Sequence, residues 1–324
     1  MPRVRGRLTF ALLALTALAA AGSAAAANGG FTPPDAYSPN AGKINTSYYV
    51  ILGFTGAVFV LVEAALILFI VRYRNRGRSR TAEGAQVHGH TRLEVIWTVI
   101  PVVILAVIGT IVFVELPGIS DVPATAAGER LNIRVDAHQF YWQYTYPNGA
   151  ISIDNLRVPA GKVVYLNIYS QDVAHSWWVP ALAGKTDAIP GRRNHTWFRA
   201  NRTGTFTGQC SEFCGIFHEA MRETVTVMPV ADYESYVSKV AGVDLGRAEW
   251  GGVCAKCHGL AGQGAYGLPL AHDSLLVQPA GVISIVRNGR GRMPPVGNDW
   301  TPRQFQALLE FVKKHVYKGA PSGG

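Results

Sequence analysis

The sequence predicts a multidomain membrane protein: a two-helix transmembrane hairpin, an all-β domain, and a small all-α domain. Three observations carry that expectation. Two long apolar runs flank an arginine-rich loop, short alternating apolar–polar runs follow, and an amphipathic, well-capped helix lies near the C-terminus. A chain of 324 residues is long enough for two or three such units.

Arg3, Arg5 and Arg7 precede a short apolar stretch, and small residues from Ser23 to Ala27 follow it. That pattern predicts a secretory signal peptide over residues 1–27, outside the mature fold. Residues 28–46 are rich in Gly, Pro and Asn and read as an exported surface segment. The hairpin is expected over 47–116, with spans at 47–71 and 95–116, broken only by Glu63 and Glu115. Each is long enough to cross a ~30 Å hydrocarbon core as a helix. Arg72, Arg74, Arg76, Arg78, Arg80 and Arg92 lie between them against Glu83 and, at the edge of the second span, Glu94, which places this loop in the cytoplasm. Everything after Leu116 is then extracytoplasmic. The net charge of +9 is largely this topology, since residues 117–243 carry eleven charges of each sign. It gives no reason to expect a nucleic-acid partner.

Pro117, Gly118 and Pro123 are expected to end the second helix, opening a β domain over 117–230. Leu131, Ile133 and Val135 alternate with polar residues, as do Val164, Leu166 and Ile168, then Val225 and Val227. Pro147-Asn148-Gly149 and Pro159-Ala160-Gly161 supply turns, so a sandwich or barrel is expected. Residues 231–243 read as a partly helical linker and 244–318 as the small helical domain, with a disordered tail at 319–324. In the last helix Thr301 is an N-cap, Pro302 the first helical residue, and Gln304 completes a capping box. Phe305, Leu308, Leu309, Val312 and Val316 give it one apolar face.

The chemistry concentrates in two motifs. Cys210, Cys214, His218 and Met221 fall within twelve residues. Thiolate, imidazole and thioether together suit copper or zinc, and a structural zinc site has no use for the methionine. His175, just after an expected strand, supplies a second imidazole. A mononuclear blue-copper site uses one thiolate; this chain offers two, enough to bridge two coppers. The second motif is Cys254-Ala255-Lys256-Cys257-His258, the C-x-x-C-H pattern of covalent haem attachment. A copper site and a haem on one exported chain imply electron transfer.

Residues 172–177 (Asp-Val-Ala-His-Ser-Trp), 185–192 (Lys-Thr-Asp-Ala-Ile-Pro-Gly-Arg), 210–221 and the aromatic segment 138–144 resemble subunit II of the haem–copper cytochrome oxidases. The resemblance covers about residues 45–230. It implies a cupredoxin Greek-key barrel with a binuclear copper-A centre held by His175, Cys210, the Glu212 carbonyl, Cys214, His218 and Met221. It also implies a magnesium shared with subunit I through the Glu212 carboxylate, although an acid there also reads as a solvated surface group. Glu94 matches a glutamate at the mouth of a proton pathway; an acid at a helix start also complements the helix dipole. Phe140 stands where the family usually has a tryptophan that receives electrons. Trp142 matches a second aromatic, either conduit or core.

Residues 244–318 resemble a class I cytochrome c. In that reading Cys254 and Cys257 form thioethers, His258 is one axial ligand and Met293, before Pro294-Pro295, the other, with His272 and His315 as alternatives. A cytochrome fused to subunit II is the pattern of caa3-type oxidases. The implied function is that of an electron-accepting subunit in the bacterial plasma membrane, its copper and haem domains on the outer face. Electrons from cytochrome c or a cytochrome bc complex would pass through haem c and copper-A to subunit I, where oxygen reduction is coupled to proton translocation; subunit III is a further partner. A copper-A nitric oxide reductase subunit, or a tethered carrier without a catalytic partner, are the competing readings.

Overall fold

The computed structural model describes residues 32–74, 86, 88–124, 130–240 and 245–319. The expected signal peptide, most of the arginine-rich loop and nearly all of the expected tail lie outside the described residues. The chain divides into two compact units, one holding the two long helices and the other the β domain with the C-terminal helices.

In the first unit, α1 spans Pro39–Tyr73 and α2 spans Thr91–Ser120, and both are long and apolar enough to cross a membrane. Their apolar side chains, Phe59, Leu61, Ile70 and Phe113 among them, point outward rather than into a protein core, as lipid-facing helices require. Pro117 and Gly118 do not end α2: it runs through both to Ser120, and the Asp121 N–H donates to the Pro117 carbonyl at 2.8 Å. A proline there forfeits one backbone bond, a cost that α2 carries close to its C-terminal end. Lys43 of α1 and Glu115 of α2 form an ion pair at 2.7 Å. Glu94 acts as part of the α2 cap, its carboxylate accepting the His90 backbone N–H at 3.1 Å.

The second unit also contains Pro34–Ala41. This stretch is not the exposed segment that its composition suggests. The Tyr37 N–H donates to the Ala181 carbonyl at 2.8 Å, the Asn201 N–H donates to the Tyr37 carbonyl at 3.0 Å, and Ser38, Asn40 and Ala41 are buried. Long-range backbone bonds, invisible to composition, fix it.

Among the described residues, ten strands build the β domain: β1 Arg130–His138, β2 Tyr141–Thr145, β3 Ile151–Ile153, β4 Asn155–Pro159, β5 Val163–Ser170, β6 His175–Trp177, β7 Thr186–Ala188, β8 Asn194–Phe198, β9 Gly204–Gln209 and β10 Arg222–Met228. They form a five-stranded sheet in the order β3-β2-β1-β5-β8, a three-stranded sheet β4-β10-β9, and the β6-β7 hairpin. The pairs β1–β5 and β4–β10 are parallel, so the chain crosses between layers rather than simply meandering. The period-two residues do what the pattern predicts: Ile133, Val135, Leu166, Ile168, Val225 and Val227 fill one core with Trp142, Trp177 and Phe198.

After β10, α3 (Val230–Val240) packs Tyr233 and Tyr236 around Tyr146. The expected linker is therefore largely an ordered helix held to the β domain. The haem-motif helix runs through α4 (Leu245–Glu249), a π-helical turn (Trp250–Cys254) and α5 (Ala255–His258). Then come α6 (Pro279–Asn288) and α7 (Pro302–Phe311), with the Thr301–Gln304 capping box formed. Phe305, Leu308, Val312 and Val316 are buried in a second core.

Candidate functional site

The β9–β10 connection carries Cys210, Cys214, His218 and Met221. Its ends are pinned by backbone bonds from Cys210 N–H to the Met221 carbonyl (2.9 Å) and from Ser211 N–H to the Ser176 carbonyl (2.9 Å). The second bond ties the loop to β6, whose first residue is His175. A single 3₁₀ turn, His218–Ala220, lets His218 and Met221 face the same side. Gly215 has φ +133° and allows close approach: a Cβ there would lie 3.0 Å from Gln139 Nε2 and 3.1 Å from the Phe140 ring. Gln139 Nε2 in turn donates to the Cys214 carbonyl at 2.6 Å.

The donor atoms converge. The ligand atoms of His175, Cys210 and Cys214 lie within 4.8 Å of one another. His175 Nδ1 is 3.2 Å from Met221 Sδ and 3.9 Å from Cys210 Sγ. Cys214 Sγ is 3.5 Å from His218 Nδ1 and 3.8 Å from Met221 Sδ. The Glu212 carbonyl faces Cys210 Sγ at 3.3 Å, while its carboxylate turns out to pair with Lys185 at 3.1 Å. His175, Cys210, Cys214 and Met221 are all at most 3% exposed.

The electrostatics suit a soft cation. A hydrogen bond from Cys214, reinforced by His175, holds the Cys210 thiol down at about 4. Cys214 is pushed up, because it keeps its proton to donate to Cys210, and burial and the neighbouring thiolate charge add to that. A cation bridging both sulfurs would remove that penalty, so this donor set fits two copper ions better than it fits an empty pocket. Asp172 accepts from His175 Nε2 at 2.7 Å, leaving Nδ1 with its lone pair toward the sulfurs. Burial opposes the charge on Asp172, yet the bonds from His175 and from the Gln139 and Val173 backbones win and keep it below the usual carboxylate range. Asp172 was not assigned a role from sequence, although its position three residues before His175 is the available signal. Trp142 is fully buried, its ring 6.1 Å from that of His175.

The second site is a cavity of about 930 Å³ lined by Cys254, Cys257, His258 and Met293 together with Trp250, Val253, Leu276, Val286 and Leu308. Its size is that of a cofactor pocket, about 300–1,000 Å³. His258 Nδ1 donates to the Leu268 carbonyl at 2.8 Å, so Nε2 keeps a free lone pair for an axial bond. Met293 sits in a tight turn closed by Arg290 N–H to Met293 O (3.0 Å) and the reciprocal bond (3.1 Å). Burial pushes the Cys254 thiol up to about 12 and raises Cys257 as well. Thiols kept protonated in an apolar wall are poor ligands for a metal ion. The cavity, its apolar lining and the free imidazole nitrogen fit a haem. His272 instead bonds the Gly319 carbonyl, and His315 stacks on Phe311; neither lines the cavity.

Comparison with known proteins agrees with this geometry. Residues 150–228 match the family model of the cytochrome c oxidase subunit II periplasmic domain, and residues 26–114 that of its transmembrane domain. Cytochrome c oxidase subunit 2 of Alkalihalophilus pseudofirmus is 31% identical over 251 residues, covering 72% of this chain and 72% of that protein. The chain belongs to the cytochrome c oxidase subunit II family. Subunit 2 of Thermostichus vulcanus is also 31% identical, over 63% of this chain and 76% of its own. Among solved structures, the periplasmic domain of subunit II of cytochrome oxidase of Bradyrhizobium japonicum is 34% identical. That match covers 37% of this chain and 96% of that one, with a TM-score of 0.35. Residues 241–312 match the model described as cytochrome c oxidase, cbb3-type, subunit III. This subunit II thus carries a fused cytochrome c domain, in the manner of caa3-type oxidases. The family implies copper-A, the C-terminal match implies haem c, and the two helices with the periplasmic-domain match indicate a membrane protein of a haem–copper oxidase.

Proposed function

We propose that this chain is the electron-accepting subunit of a proton-translocating oxygen reductase. When bound, haem c and copper-A supply one-electron chemistry, relaying electrons from an external donor to subunit I. His175, Cys210, Cys214, His218, Met221 and the Glu212 carbonyl would hold two coppers; Cys254 and Cys257 would bind the haem covalently, with His258 and Met293 axial. One observation carries the reading. The wall of the haem cavity includes Gln139, Phe140 and Phe217, and these same residues abut the copper loop, Gln139 bonding the Cys214 carbonyl and Phe217 preceding His218.

The finer roles follow from this reading. The Glu212 carboxylate, exposed and paired with Lys185 in this chain, would share a magnesium with subunit I. Glu94, at the N-terminal end of α2, would serve a proton pathway. Subunit III and a cytochrome c or cytochrome bc donor complete the partners, and the copper and haem domains face outward from a bacterial plasma membrane. The test is oxygen uptake by the complex pulled down through this chain from native membranes. Rapid, cyanide-sensitive uptake with a reduced donor is expected. Retained copper, haem and subunit I without uptake would contradict the reading and favour nitric oxide reduction.

A further inference from the structure

The fused haem domain is not merely joined to the copper domain through α3; the two share a core. Tyr141 and Ile153 of the β domain are buried in the cluster formed by Trp250, Val253, Trp300, Phe305 and Leu308. The Tyr141 hydroxyl donates to the Val296 carbonyl at 2.5 Å and accepts from Trp300 Nε1 at 2.9 Å. Gln304 Nε2 donates to Gln143 Oε1 at 2.9 Å, and this pair too is buried.

Two contacts on the haem-motif helix fix its register. Gly252 lies so close to β3 that a Cβ would fall 2.4 Å from Ile153 Cγ2. One turn further, Lys256 lies between the two haem cysteines in sequence. Its ammonium donates to Asp154 Oδ2 at 2.6 Å and to the Phe140 carbonyl at 2.8 Å. Asp154 is itself held, its other carboxyl oxygen accepting the Trp142 N–H at 2.8 Å. Charge-assisted bonds of this kind are short and directional. They set the helix bearing Cys254, Cys257 and His258 against the backbone of Phe140. From that corner an aromatic chain runs along the cavity wall: Phe140 to Phe217 at 5.5 Å, and Phe217 to Tyr266 at 4.5 Å.

We propose that Gly252 and Lys256 are positioning residues that lock the haem domain in one register on the β2–β3 edge, so that haem-to-copper transfer occurs within a fixed pair and needs no docking step. The proposal rests on the relay reading above and adds to it how the two sites are held together. A mobile tether would make the domains search for one another before each transfer; a shared core removes that search.

The test uses the intact oxidase. A photoexcited ruthenium dye delivers one electron to the haem; that electron then leaves the haem and reduces the copper pair, and both optical bands are followed. Hydrogen exchange of the peptides around 150–156 and 250–258 is measured on the same samples. In the parent protein, transfer is expected to be first-order and independent of glycerol viscosity, with both peptides protected. Gly252→Ala should slow transfer about tenfold, the scale expected for a small misplacement of reacting groups, make it viscosity-dependent and deprotect both peptides. Haem potential and copper spectrum should stay unchanged. Adding Ile153→Ala to Gly252→Ala should restore rate and protection by removing the clash. Lys256→Met, which keeps the aliphatic stem, should slow transfer with haem content intact. Parental rates in both Gly252→Ala and Lys256→Met would overturn the positioning role alone. A viscosity-dependent rate in the parent protein would overturn the fixed pair. Protected peptides with no haem-to-copper transfer would overturn the relay itself.

Discussion

In the copper cluster, each donor side chain already stands within 4 Å of at least one other; in the haem cavity, the expected attachment residues surround about 930 Å³ of space. The cysteines differ in the same sense. Cys210 is held down at about 4 by its bond from Cys214, whereas burial pushes Cys254 up to about 12. The copper ligands Cys210, Cys214 and Met221 belong to the buried cluster of the β domain itself. The small helical domain sets buried side chains of its own core, Trp250, Val253, Leu276 and Val286 among them, around that cavity. Copper would thus be held by side chains that already converge, whereas a haem would pack against the core of the helical domain.

The largest expected effect tests that asymmetry. Removing both thioether positions, Cys254→Ser with Cys257→Ser, should abolish covalent haem and expose residues 245–319 to protease. A small domain that loses a core-filling group cannot hold its fold. The copper signal should persist in the same sample, as haem staining and paramagnetic resonance would report. Conversely, Cys210→Ser should abolish the binuclear signal while the metal-free β domain keeps its fold, with a stability loss of about 1–3 kcal/mol by denaturant titration. If the haem domain unfolds with it, the two sites are not built independently.

Smaller effects sharpen the picture around each site. Asp172→Asn leaves a neutral acceptor on His175 and should weaken copper binding about 10–100-fold with the fold intact, read by competition with a copper chelator. On the haem side, Glu249 is fully buried, with Gln304 beside it easing its charge only in part. Burial raises it to about 9 from an ordinary 4.5. Between those values the native state keeps a proton that the unfolded chain has released, so stability falls as pH rises and levels off near pH 9. The loss between about pH 6 and 8 should be roughly 2–3 kcal/mol, and Glu249→Gln should flatten it. An unchanged slope in that variant would place the titrating group elsewhere.

What was legible in the sequence was whatever is local or periodic. Alternation found the β core, the capping box found α7, and four of the copper donors lie within one loop. His175 was reachable because an imidazole directly after a strand is a short motif. What was not legible depends on distant partners. Nothing near Ile153, Asp154 or Tyr141 announces that residues some hundred positions later will pack on them. Likewise Asn40 sits in a Pro- and Gly-rich stretch, yet it is buried through its bond to the Trp197 carbonyl. Pro117 reads as a stop, but one lost backbone bond did not outweigh continuation of α2.

The most direct measurement is the paramagnetic resonance spectrum of the intact, oxidised protein, with copper and haem counted on the same sample. The account predicts two coppers per covalent haem and seven hyperfine lines, from one unpaired electron shared equally over two spin-3/2 nuclei. Four lines with one copper per haem would mean a mononuclear site and would contradict it.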